Sequence, residues 1–191
     1  MLFRSGYTAE VLLKLFMVCA FPLHIWSLLM AFRDFGWVAV RTYTWDAFGL
    51  VSYAMVFALL ESIGVFLLVM LAGLLIPSRW ELDRKIAMLG TLFLVAASWS
   101  MLSKIYTAFD SPIPIWLSDY MIADGHPLRI LWGIAAVLVL VSAVGPALLI
   151  LKRESVTKGI VSVFERLVVL SSFYVFLDLI GIVIIVIRNL H

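Results

Sequence analysis

Two carboxylates and one imidazole fall in stretches of this chain where water is absent. Glu61 stands in "LLESIGVF" (59–66), Asp178 in "YVFLDLIGIV" (174–183) and His24 in "AFPLHIWSLL" (20–29). An aspartate at the centre of a membrane-crossing helix costs about 2.5–3.5 kcal/mol on insertion, so such groups face protein or a wet cavity. A carboxyl group stripped of water is either neutral or paired with a cation. His24 is the available partner. Two readings stand open for Glu61 and Asp178: a site for a proton or cation, or neutral hydrogen-bonding groups that fix helix register at about 0.6 kcal/mol each. For His24 taken alone, a register bond to Ser27 or to a carbonyl fits better.

Helical spacing gives these groups neighbours, because residues three or four apart share a face. Around Glu61 that face reads Ala54, Ala58, Gly64, Leu68 and Ala72; around Asp178 it reads Ser171, Tyr174 and Gly181; around His24 it reads Ala20, Ser27 and Ala31. Small residues let membrane helices approach closely, and hydroxyls supply buried polar groups with partners. All three faces are therefore expected at helix–helix contacts. Pro22 and Pro146 leave the carbonyls of Val18 and Ser142 without their helical donors, which predicts kinks in both helices. Those carbonyls, with Ser98, Ser100 and Tyr174, are expected to line a polar pocket reaching from mid-membrane toward Lys104. Glu61, Asp178, His24, Tyr174, Ser98 and Ser100 form the candidate binding set.

The elements that must position this set are membrane spans. Of 191 residues, 64% are hydrophobic and 14% charged, and the mean hydropathy is +1.13. Soluble domains run roughly 45–50% apolar and about 25% charged, so the chain reads as an integral membrane protein. Crossing about 30 Å of hydrocarbon takes roughly 20 apolar residues. Five segments qualify: 10–32, 47–76, 86–106, 128–151 and 167–187. The expected fold is all-α, a polytopic bundle of five transmembrane helices in one domain. The first segment is expected to be retained rather than cleaved as a signal peptide, given its length, its internal Pro22 and His24, and the lack of a small-x-small cleavage site. Arg4, Arg79, Arg84 and Lys85, and then Lys152, Arg153, Lys158 and Arg166, cluster on one side. By the positive-inside rule this predicts a cytoplasmic N-terminus and an external C-terminus. The expected location is a cell membrane, of the bacterial plasma-membrane kind.

Both connections on the opposite side read as interfacial. "GWVAVRTYTWD" (36–46) supplies Trp37, Tyr43 and Trp45 for the headgroup level, with Asp46 placed to cap the second span. A short amphipathic helix is predicted from about Pro112 to Ala123, stopped at Gly125, with Ile115, Trp116, Tyr120 and Ile122 on its apolar side.

Several chemistries are excluded. There is no GxSxG, HExxH, Cys-x-x-Cys or glycine-rich phosphate loop. Cys19 is the single cysteine, so no internal disulfide forms. Haem between helices usually takes paired axial ligands, and among the histidines only His24 lies inside a span. No cofactor or metal is expected. A net charge of +2 without a basic stripe sets nucleic acid aside. The topology alone is similar to the membrane anchor of lipoteichoic-acid-synthase-like enzymes; no motif accompanies that resemblance, and no catalytic domain of that kind is expected. The leading expectation is a small transporter-like protein binding a proton, cation or small solute at its buried carboxylates. Close behind stands a non-catalytic accessory or anchoring subunit whose partners are the bilayer, other membrane proteins or further copies of itself. A lipid-modifying enzyme using Glu61 and Asp178 as an acid–base pair comes third.

Overall fold

A computed structural model describes residues 8–108, 114–123 and 125–190. Among them are six helices and no strand: α1 (Ala9–Arg41), α2 (Thr44–Gly73), α3 (Leu82–Ala108), α4 (Ile115–Ala123), α5 (Pro127–Lys152) and α6 (Glu154–Asn189). All but α4 are long and apolar enough to cross a membrane. Each contains one of the five segments expected from hydropathy, apart from Leu74–Ile76 at the end of the second. Arg4, Pro112 and His191 lie outside the described residues.

Two helices, α1 and α6, are longer than expected by ten residues or more. Residues 36–41 continue α1 instead of forming a loop, so only Thr42 and Tyr43 separate α1 from α2. Gly36 alone does not break a helix, and Arg41 sits 4.1 Å over the Trp37 ring one turn earlier, a contact that favours helix. The sequence places Asp46 just before the second span as its cap; because α2 starts at Thr44, Tyr43 is the N-cap and Asp46, in the first turn, accepts the Tyr43 N–H at 3.3 Å. Residues 154–166, with their several charges, also fold as helix, and only Arg153 separates α5 from α6. Glu154 pairs with Lys158 at 2.7 Å one turn on, while Thr157 and Phe164 turn inward. Such an amphipathic stretch gains more by packing than by looping out.

The antiparallel pair α1–α2 makes the most extensive contact in the bundle, and α6 packs against both. α3 leans on α1 and α6 and also carries α5, which is the outermost span, with 6% of its apolar window buried. Near the start of α1, Val18, Ile86 and Phe164 form one core cluster; Ala87, Met88 and Ile150 form another. Gly90 makes room there, since a Cβ would overlap the edge of the Phe164 ring. At the opposite end Arg188 of α6 donates to the Trp45 carbonyl at 2.6 Å and to Asp46 at 2.9 Å, tying α6 to the start of α2. α4 covers Ile115–Ala123, and Gly125 takes φ 71° just beyond it, a conformation open mainly to glycine. Ile115, Trp116, Tyr120 and Ile122 are all exposed.

Candidate functional site

The bundle brings two of the three intramembrane ionisable groups together. His24 lies within about a residue of the middle of α1 and Asp178 lies on α6, and neither side chain has any exposed surface. His24 Nε2 stands 3.0 Å from Asp178 Oδ2, and Nδ1 stands 2.8 Å from the Ala20 carbonyl. A carbonyl can only accept, so Nδ1 carries the hydrogen. A hydrogen bond between Nε2 and Oδ2 would need one further proton, shared between them. Wherever that proton rests, the pair has no net charge, as imidazole with carboxylic acid or as imidazolium with carboxylate. That neutrality is how two ionisable groups are tolerated at this depth.

The neighbours follow the expected helical faces. Tyr174, one turn before Asp178, lies parallel to the His24 ring, with centroids 5.8 Å apart and planes 9° apart. Ser171 donates to the Met17 carbonyl at 2.8 Å, next to the segment where Pro22 withholds an N–H from Val18. Gly181 lets α6 close on α2: a Cβ there would lie 3.2 Å from the Ser52 carbonyl oxygen. Asp178 Oδ1 is buried with no hydrogen-bond partner among the described residues. A buried acceptor left open costs about 1–3 kcal/mol, and here it is the atom at which a further donor would bind.

Glu61 does not belong to this site. Its side chain is exposed on the outside of α2, and Gly64, one turn on, would meet nothing within 4 Å if given a Cβ. The helix–helix contact expected for the Glu61 face is not made within this chain. Ser52, Met55, Ala58 and Ser62 instead form the inward stripe of α2, and Glu61 is turned about 100° away from Ser62. Ser62 is fully buried and donates to the Ala58 carbonyl at 2.6 Å. A hydroxyl beside the carboxylate was the sequence signal for this rotation, and the acid obscured it.

Ser98, Ser100 and Tyr174 do not share a pocket. Ser98 lines a groove of about 480 Å³ between α3, α5 and α6, where Trp99 Nε1 donates to Ser142 Oγ at 2.9 Å. Tyr174 is elsewhere, on His24, and Ser100 is exposed. Lys104 lies beside α1, 5.9 Å from the Trp26 ring centroid. The α3–α5 bridge and the Arg188–Asp46 tie are polar contacts that spacing did not reveal, because each joins residues far apart in the chain.

Five apolar helices around a fully buried His–Asp pair define a multi-pass helical membrane protein. No protein-family model, curated protein or solved structure matches this chain.

Proposed function

We propose that the protein is a small transporter-like membrane protein whose His24–Asp178 pair takes up and releases a proton. The observation that carries this reading is the buried Nε2–Oδ2 contact beside an open Oδ1 acceptor. One proton more gives the pair a positive charge, and one fewer gives a negative charge. Either charge in hydrocarbon favours an arrangement in which α1 and α6 part to admit water or a counter-ion. Pro22 lies two residues before His24 and weakens α1 where it would have to yield. The test is proton flux in proteoliposomes carrying a pH-sensitive dye. A pH step should produce flux with the native chain and none with Asp178→Asn, whose folding is checked by its elution as the same species. Equal flux from the two proteins, or none from the native chain, refutes the reading.

The position of Glu61 favours a second reading, an accessory or anchoring subunit. A carboxyl group on the outer surface of a span suits a chain that meets another membrane protein there. A lipid-modifying role has less support, because Glu61 and Asp178 do not converge.

A further inference from the structure

From the exposure of Glu61 we infer that the outer face of α2 is the docking surface for a transmembrane helix of another protein carrying a lysine, arginine or histidine at mid-membrane depth. The inference is separate from the proton reading and gives the accessory reading its surface. A failed docking test leaves the flux test unaffected.

Glu61 lies about 4 Å along the helix from the middle of α2, so its carboxyl is deep in hydrocarbon. No residue among those described gives it a hydrogen bond or an ion pair. Lipid tails offer neither, and intramembrane carboxyl groups in that situation face protein. The surroundings have the shape of a helix contact. Phe57, Glu61, Gly64 and Leu68 recur at spacings of four, three and four on one outward stripe, with Phe57 62% and Leu68 65% exposed. Gly64 leaves open space between the two large side chains, a notch that admits a neighbouring backbone.

Charge complementarity chooses the occupant. A second copy of this chain has no cation to offer at that depth: lysine and arginine are absent from residues 15–32, 42–78, 86–103, 130–151 and 167–187. Its one mid-span imidazole, His24, is fully buried against Asp178. The matching group must come from a different protein. Glu61 has no role in this chain's own packing, so replacing it leaves the fold intact and removes only the docking.

The test uses the full chain, donor-labelled, in neutral phosphatidylcholine vesicles, with an acceptor-labelled leucine–alanine transmembrane helix carrying one central lysine. The same helix with a central leucine is the control. Energy transfer should show the lysine helix binding about tenfold more tightly than the control, as one good intramembrane contact provides. Glu61→Leu should remove that preference, and Gly64→Leu should weaken binding by filling the notch while the preference stays. Equal binding of both helices to the native chain overturns the inference, as does a lysine preference that survives Glu61→Leu. Transfer between differently labelled copies of the chain alone, abolished by Glu61→Leu, assigns the face to a homodimer and overturns it as well.

Discussion

Replacing Asp178 by leucine tests the geometry of the buried pair most directly. The substitution leaves His24 Nε2 with no partner in a place without water, while Nδ1 keeps its bond to the Ala20 carbonyl. A stranded buried polar atom costs about 1–3 kcal/mol, and the neutral substitution removes the open Oδ1 acceptor, which offsets part of that cost. The expected net loss is about 1–2 kcal/mol. His24→Leu should be worse, since both carboxyl oxygens of Asp178 then lack partners. The double variant leaves no unmatched polar atom and should be more stable than the sum of the singles implies, with a coupling of about 1 kcal/mol or more, toward the upper end of measured intramembrane hydrogen bonds. Asp178→Asn isolates the role of the shared proton, because an amide N–H can still donate to Nε2 while the acid proton is gone. It should cost less than Asp178→Leu. The assay is reversible unfolding in mixed detergent micelles followed by helical circular dichroism. Additive single variants, with coupling below about 0.3 kcal/mol, would refute the pairing.

Two further outcomes follow from the core. Gly90→Ala should destabilise the protein by about 1–3 kcal/mol, because its Cβ overlaps the Phe164 ring; the same unfolding measurement should show most of that loss recovered when Phe164→Leu is added. Cys19 is fully buried in α1, so a maleimide should modify it only after denaturant opens the bundle, and labelling of the folded protein at the rate of a free thiol would contradict the α1 packing.

Much of this architecture follows from local physical chemistry. Hydrocarbon thickness and the lack of charge over about 20 residues require five spans wherever the chain lies. Gly125 stops α4 because of a backbone angle that only its own residue type adopts easily. The faces of His24 and Asp178 were legible because Ala20, Ser171, Tyr174 and Gly181 recur at helical spacing around them. The same rule left open whose helix the Glu61 face meets, since small residues on a face are equally suited to a helix of the same chain or of another. It also missed the start of α6, where a charged stretch reads as a loop until an apolar stripe finds α3. Tertiary structure decided that His24 meets Asp178, 154 positions away, and that Glu61 meets neither. Each helix has one rotation, set by the sum of its contacts. In α2, packing Ser52, Met55, Ala58 and Ser62 inward outweighs hiding one carboxyl group.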